Sequence, residues 1–157
     1  MSEIDNSART TVEELWQAHA AELLRFATVL VGPNDAGDVV VEALLRSERS
    51  IAGGDVRSPR PYLFRAVANH SSDVRRGRSR RWARDLAAIG PAVVAGPDTF
   101  VDVRRAVAKL SLVQRAVVYF AYWEDMTERD IAEVLQLSPG TVHRHLERAR
   151  NHLREVL

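Results

Sequence analysis

The chain has 157 residues, of which 46% are hydrophobic and 27% charged, and its formal net charge is only +1. This composition is typical of a globular protein with one ordinary domain or two small ones. It contains no cysteine, which excludes disulfides and thiolate zinc sites. No apolar run reaches the length of a membrane span, and the N-terminus lacks the pattern of a signal peptide. We therefore expect a cytoplasmic protein without membrane insertion.

The first helical pattern covers residues 11–31. Its apolar side chains recur at helical spacing, which predicts an amphipathic helix. Thr11 and Glu14 stand three residues apart at its start, the spacing of a capping box. Gly32 is expected to end the helix.

Two further helical patterns follow in the first half. The second covers residues 35–51, with Asp35 as the expected N-cap. Residues 53–61 contain two Gly and two Pro and are predicted to form a loop. The third begins near Arg60 and continues to about Ala88, with Gly77 as a possible break.

The basic residues are unevenly distributed along the chain. All of the 22 except Lys109 are Arg, and six of them fall between Arg75 and Arg84. The guanidinium group is planar and carries several donors, so it suits phosphate groups and guanine edges. So dense a tract favours contact with nucleic acid or an acidic membrane surface over a solvated charge run.

The composition changes at residues 89–97, which contain two Gly-Pro pairs and small apolar residues. Such a segment is typical of a linker. We therefore predict an all-α protein of two small helical domains, residues 8–88 and 98–157, joined by this short linker. Because the linker is short and mostly uncharged, we expect no fixed angle between the domains unless a partner clamps them.

The second half carries four short helical patterns, and the last two indicate a helix-turn-helix. Thr127 and Ser138 are the expected N-caps of this pair. In such a unit the second helix enters the major groove of DNA. Its apolar stripe consists of Val142, Leu146, Ala149 and Leu153. The side chains left to face DNA are Thr141, Arg144, His145 and Arg148. The pattern also leaves open a helical hairpin that binds protein instead.

The segment from Leu110 to Leu157, which includes "QRAVV", "EDMTERDIAEVL" and "SPGTV", resembles the fourth conserved region of extracytoplasmic-function sigma factors. The segments "LWQAHAAELLRFATVLVG", "DAGDVVVEALLR" and "RPYLFRAVANHSSDVRR" are similar to the second region of that family, in the same order and spacing. The resemblance spans roughly residues 11–157. It implies a dissociable subunit that directs bacterial RNA polymerase core to promoter DNA. The second region would bind the polymerase clamp and open the −10 element, and the fourth would read the −35 element.

The resemblance also implies site residues. On the polymerase-binding helix they are Asp38, Val39, Glu42 and Leu45. Along the −10 face they are Asn69, Asp73, Arg75, Arg76, Arg78, Arg80 and Arg81. In the last helix Arg148 matches a contact to a base or a phosphate, and His143 and His145 replace residues that are usually Lys or Arg.

The chain departs from the family pattern in the polymerase-binding helix. Val41 stands where the family usually has Gln, and Glu48 stands where it usually has Trp. The alternative is therefore a helix-turn-helix regulator that binds DNA but has weakened or lost polymerase binding. An anti-sigma factor is a further partner that the resemblance implies. No motif for catalysis, a cofactor or a metal is evident, so an enzyme is not expected.

Overall fold

The computed structural model describes residues 11–85 and 99–157, and the side chains of residues 11–77 and 102–157. Within these ranges the chain forms helices and no strand, as the all-α prediction requires. The helices are α1 (Val12–Val31), α2 (Pro33–Ala52), α3 (Pro59–Asp85), α4 (Thr99–Ala108), α5 (Leu112–Tyr122), α6 (Glu128–Leu135) and α7 (Pro139–Val156). The predicted linker, residues 89–97, lies outside the described residues.

The start of α1 and the turn to α2 follow from local chemistry. The Thr11 hydroxyl accepts the Glu14 N–H at 3.2 Å, and the Glu14 carboxylate accepts the Thr11 N–H at 3.0 Å, so the predicted capping box is present. Gly32 turns the chain with a φ of 87°, which residues with a side chain rarely adopt. The predicted cap at Asp35 is wrong. The helix α2 begins at Pro33, because proline suits the first helical position, and Asp35 lies in the first turn.

The three helices of the first half pack against one another. Their buried side chains include Leu23, Leu44 and Leu63. The third helix continues through Gly77 to Asp85 without a break. A glycine inside a helix costs about 1 kcal/mol relative to alanine, which the rest of a long helix can offset.

The second half begins each of its last three helices with a side-chain cap. Ser111 and Gln114 form a capping box at α5. Thr127 accepts the Asp130 N–H at α6, and Ser138 accepts the Thr141 N–H at α7. The helices α6 and α7 form the predicted helix-turn-helix, with α5 packed against both.

The two halves share one apolar core. Phe26 of α1 and Phe64 of α3 contact Phe120 of α5, with ring centroids 4.9 and 5.3 Å apart respectively. Tyr119 joins this cluster 5.1 Å from Phe26, and all four rings are buried. The structure therefore differs from the expectation that the domains have no fixed angle, because these rings of α1, α3 and α5 contact one another across the two halves. We call these four rings the aromatic cluster.

Replacing Phe120 by Ala should lower the free energy of unfolding by about 3–5 kcal/mol, because it removes a fully buried ring from the core. Since the ring contacts both halves, the loss should appear in a single cooperative transition in urea, followed by circular dichroism. The matched control is Val41→Ala, at an exposed position, which should change the free energy by no more than about 0.5 kcal/mol. A loss at Phe120 as small as the control would contradict the shared core.

Candidate nucleic-acid interface

The last helix packs through its apolar stripe and turns its basic residues outward. Val142, Leu146 and Ala149 are buried, whereas Leu153 is only half-buried. Arg144 and Arg148, one turn apart, are both exposed. The stripe thus fixes the helix to the rest of the second half and leaves the two guanidinium groups on the surface.

The first turn of α7 holds its polar side chains in place. The Ser138 hydroxyl lies 2.8 Å from the Thr141 hydroxyl and accepts the Thr141 N–H at 3.1 Å. Arg144 donates from Nη2 to the Thr141 hydroxyl oxygen at 3.2 Å. This places a cation next to the N-terminus of a helix, where the free N–H groups and the helix dipole already favour an anion.

The two histidines of the first turns differ from one another. His143 is exposed, and its Nδ1 lies 3.0 Å from a carboxylate oxygen of Glu128 on α6, so it ties the two helices together. His145 is half-buried. Burial, together with the charges of Arg148 and Arg144, lowers the pKa of His145 below its ordinary value. His145 is therefore neutral at neutral pH and adds a donor or acceptor rather than a charge to this surface.

The predicted −10 residues of α3 fall into two groups. Asn69, Asp73 and Arg76 are exposed and stand at positions i, i+4 and i+7, so they share one face of the helix. Arg75 is half-buried, and its Nη2 donates to the Leu110 carbonyl oxygen at 3.4 Å, so it points to the second half instead. Three further predicted residues lie on this helix, but their side chains are outside the described part: Arg78, Arg80 and Arg81.

The predicted polymerase-binding residues of α2 lie mostly on the surface. Asp38 is exposed and Leu45 is 52% exposed, while Glu42 accepts a hydrogen bond from Arg46 Nε at 2.7 Å. Val39 is the exception, since its side chain is fully buried. Val39 belongs to the inner face of α2, which packs into the core. The expectation that Val39 itself contacts a partner therefore disagrees with the structure.

Val41 and Glu48 are the two positions where α2 departs from the family pattern. Val41 is 42% exposed, so it adds to the apolar surface beside Leu45 and does not disturb the core. Glu48 is half-buried. We call Asp38, Val41, Glu42 and Leu45 the α2 surface.

Arg115 and Arg60 lie between the two halves, one buried and the other half-buried, and the sequence analysis predicted neither of these positions. Arg115 is buried in α5 and donates to the carbonyl oxygens of Leu30 at 2.6 Å, of Leu110 at 3.2 Å, and of Ala108. Burial, and to a lesser extent the charge of Arg75, lowers the pKa of Arg115 to about 10. The only sequence signal was an Arg within the apolar run "LVQRAVVYF".

Arg60 is the second of these arginines. Its Nε donates to Glu22 of α1 at 2.9 Å, and its Nη2 donates to Glu124, just after α5, at 2.7 Å. Its guanidinium also lies 5.0 Å from the centre of the Phe64 ring. Arg60 thus joins three segments of the chain at the edge of the aromatic cluster, whereas the sequence marked it only as the start of a helix.

A helix-turn-helix with an exposed basic second helix defines a class of DNA-binding protein. No helix in residues 11–85 and 99–157 is both long and apolar enough to cross a membrane. Among the described side chains, no group of three or more acidic residues and histidines is placed to hold a metal ion.

Comparisons with known proteins narrow this class. Residues 100–153 match the model of the family "Sigma-70, region 4". The ECF RNA polymerase sigma factor SigL of Mycobacterium tuberculosis is 33% identical over 153 residues, covering 91% of this chain and 86% of SigL. The RNA polymerase sigma-E factor of Streptomyces avermitilis is 34% identical over 159 residues, covering 92% of this chain and 84% of that protein.

Two solved structures have a similar fold. The sigma factor RpoE of Bartonella quintana, in complex with the anti-sigma factor NepR, has a TM-score of 0.70 at 21% identity and covers 92% of this chain and 94% of RpoE. CnrH, in complex with the cytosolic domain of CnrY, has a TM-score of 0.64 at 23% identity and covers 92% of this chain and 85% of CnrH.

The chain therefore belongs to the extracytoplasmic-function RNA polymerase sigma factors. It directs core polymerase to promoters and initiates transcription. The alternative of a regulator without polymerase binding is not favoured.

Acid should destabilise the fold through His145. Its folded pKa is lowered by burial and by Arg148 and Arg144, so below about pH 6.5, the ordinary histidine value, the unfolded chain binds more protons than the folded one. The contribution to stability is complete above that pH and is lost as the pH falls through the folded pKa. His145→Gln should reduce this loss, measured as the difference in free energy of unfolding between about pH 8 and about pH 5. His143→Gln, at the neighbouring exposed histidine, is the control. An equal pH dependence in wild type and His145→Gln would contradict the assignment.

Proposed function

We propose that this sigma factor divides its task between its two halves. Residues 8–88 bind core polymerase and the −10 element, residues 98–157 bind the −35 element, and residues 89–97 link them. The observation that carries the proposal is the geometry of α7. Its buried stripe holds Arg144 and Arg148 outward on the second helix of a helix-turn-helix.

The α2 surface is the proposed contact with core polymerase. It combines two exposed apolar side chains, Val41 and Leu45, with the carboxylates of Asp38 and Glu42. A basic coiled coil with apolar side chains between its charges would be complementary to this surface, because burying Val41 and Leu45 removes apolar area from water while the carboxylates meet opposite charges. Val39 supports the contact only by fixing α2 in the core.

Reversing both charges of the α2 surface, Asp38→Lys with Glu42→Lys, should weaken binding to core polymerase by at least about tenfold, because like charges then meet at the interface. The fold should persist, since neither side chain belongs to the core. Fluorescence anisotropy of the labelled protein with purified core enzyme measures the affinity. The control is Glu133→Lys, at an exposed position on α6. Equal affinities for wild type and double variant would exclude this surface.

The −10 contact is proposed for the exposed face of α3. Asn69 and Asp73 are exposed and are the proposed contacts to base edges, and Arg76 is exposed one turn further along the same face. Arg78, Arg80 and Arg81 extend the basic tract, and guanidinium groups of this kind bind phosphates without reading sequence. Arg75 contributes less to DNA in this arrangement, because it is directed to the Leu110 carbonyl oxygen.

The −35 contact is proposed for the first three turns of α7, and Arg148 tests it. If Arg148 contacts a base edge, Arg148→Ala should weaken binding to the promoter duplex by about 1–3 kcal/mol and leave a scrambled duplex unaffected. If it contacts a phosphate, binding to both duplexes should weaken equally. The slope of log affinity against log salt concentration should then decrease in magnitude by about one. Salt titrations with both duplexes separate the two cases. The control is Arg154→Ala in the last turn. Unchanged binding to both duplexes would favour a protein partner for α7.

An anti-sigma factor is a further proposed partner, because RpoE forms a complex with the anti-sigma factor NepR, and CnrH forms a complex with the cytosolic domain of CnrY. A groove of about 760 Å³ between the halves offers an apolar surface for it. Val29 of α1 and Val107 of α4 line this groove, and Trp123, 65% exposed, lies at its edge. A partner seated there would contact both halves at once. We expect such a partner to form a stable complex with this protein and to compete with core polymerase for it. Trp123→Arg should weaken that complex.

The experiment that tests the whole proposal is run-off transcription with core polymerase and genomic DNA, followed by mapping of the start sites. The promoters that depend on the added protein should share one element near −10 and one near −35. We place the protein in the cytoplasm, where core polymerase and promoter DNA are, and assign it no catalytic step of its own. Start sites identical to those of core enzyme alone would overturn the proposal.

A further inference from the structure

Three side chains at the start of α7 form a continuous series of hydrogen bonds. The Ser138 hydroxyl accepts the Thr141 N–H at 3.1 Å and lies 2.8 Å from the Thr141 hydroxyl, and Arg144 Nη2 donates to that hydroxyl at 3.2 Å. A hydroxyl has one proton and two acceptor lone pairs, so Thr141 can bond to both neighbours at once, whichever of the two hydroxyls donates. The Arg144 guanidinium is therefore connected, through Thr141, to the N-cap of the helix.

This connection holds Arg144 over the first turn of α7. Arg144 is exposed, and an exposed arginine without a partner samples many side-chain conformations. In a helix-turn-helix the N-terminal residues of the second helix are the ones that reach base edges in the major groove. The bond to Thr141 uses one of the five N–H donors of the guanidinium and fixes the group at the end of the helix that enters the groove.

The carboxylates of the neighbouring turns are engaged with other side chains. Glu128 of α6 lies 3.0 Å from His143, and Glu147 accepts a hydrogen bond from Arg150 at 3.0 Å. A cation near the N-terminus of a helix is opposed by the helix dipole, which favours negative groups there. An acceptor supplied by a bound molecule would therefore stabilise Arg144 in this position.

Guanine is the acceptor that fits this arrangement best. It presents N7 and O6 side by side at its major-groove edge, and the planar guanidinium can donate to both at once. Because Thr141 already orders the side chain, less conformational entropy is lost when Arg144 binds. A phosphate lies at the rim of the groove, whereas the side chains at the inserted end of the helix face the base edges.

We propose that Arg144 reads a guanine of the −35 element, and that Thr141, itself held by Ser138, is the residue that positions it. The proposal rests on the assignment of α7 to the −35 element, and it names a base that this element contains. It also gives Thr141 a role other than direct contact with DNA, because its hydroxyl is already bonded to Ser138 and Arg144.

A promoter library tests the role of Arg144. The −35 segment is randomised, core polymerase transcribes the library with the intact chain, and the barcoded transcripts are sequenced. Wild type should favour guanine at one position by roughly tenfold or more. Arg144→Lys keeps the charge but loses the planar pair of donors, so it should lose this preference and retain those at other positions. The control is Arg154→Lys, at an exposed site in the last turn, which should leave every preference unchanged.

Two variants of Thr141 test the positioning role in the same library. Thr141→Val removes the hydroxyl but keeps the branched side chain, and it should reduce the guanine preference by about two- to tenfold, because Arg144 must then be ordered on binding. Thr141→Ser keeps the hydroxyl and should retain the preference. A loss of helix stability would weaken all positions of the element together, so a selective loss at one position identifies positioning. An unchanged preference in Thr141→Val would refute it.

Modified bases distinguish a base contact from a phosphate contact. At the preferred position 7-deazaguanine lacks the N7 acceptor, whereas inosine keeps N7 and O6 and lacks only the amino group in the minor groove. Polymerase with the wild-type chain should bind the 7-deazaguanine promoter about three- to tenfold more weakly than the guanine promoter, and the inosine promoter nearly as well. With Arg144→Ala the three promoters should bind alike. Equal binding of the guanine and 7-deazaguanine promoters by wild type would overturn the proposal.

The outcomes separate this inference from the proposed function. If transcription depends on the chain but Arg144→Lys keeps every base preference, Arg144 does not read a guanine. If the variant weakens all promoters equally, Arg144 contacts a phosphate, and the inference fails while the function stands. If wild type shows no base preference anywhere in the randomised segment, α7 does not read the −35 element, and both fail.

Discussion

The contact of Phe26 and Phe64 with Phe120 determines how the other parts of this sigma factor are arranged. Each half has its own buried side chains, and the buried rings of Phe26 and Phe64 in the first half lie directly against Phe120 of the second. The arginines at the edge of the contact donate hydrogen bonds to carbonyl groups and carboxylates there, as buried and half-buried polar groups usually require. The interface therefore has the anatomy of a domain core with a polar margin.

The proposed functional surfaces lie around this contact and not within it. The α2 surface, the exposed face of α3 and the basic face of α7 all remain open to solvent. A protein of this kind needs no cavity for a substrate. Its specificity comes from where rigid helices present a few side chains, and from how far apart those helices are held.

Much of the fold was predictable because its signals are local. The capping box of Thr11 and Glu14 and the cap at Ser138 place helix ends from neighbouring residues alone. The contact of Phe26 with Phe120 was not predictable, because helical periodicity does not reveal which of two distant segments covers an apolar face. In the run Val39 to Val41 the residue type is constant, so only packing decides that Val39 is buried and Val41 exposed. The basic face of α7 was predictable because its apolar and its basic side chains both recur at helical spacing. The hydrogen bonds of Arg115 were not predictable, because their three carbonyl acceptors belong to other segments of the chain.

The unbroken course of α3 has a mechanical consequence. Its 27 residues make a rod about 40 Å long, with Phe64 near one end and the Arg-rich tract near the other. No hinge interrupts the helix at Gly77, so the two ends of α3 move as one body. If the Arg-rich tract binds DNA as proposed, a force on the tract would reach the packing of Phe64 through this single stiff element, and a flexible insertion in the middle of α3 would uncouple the two.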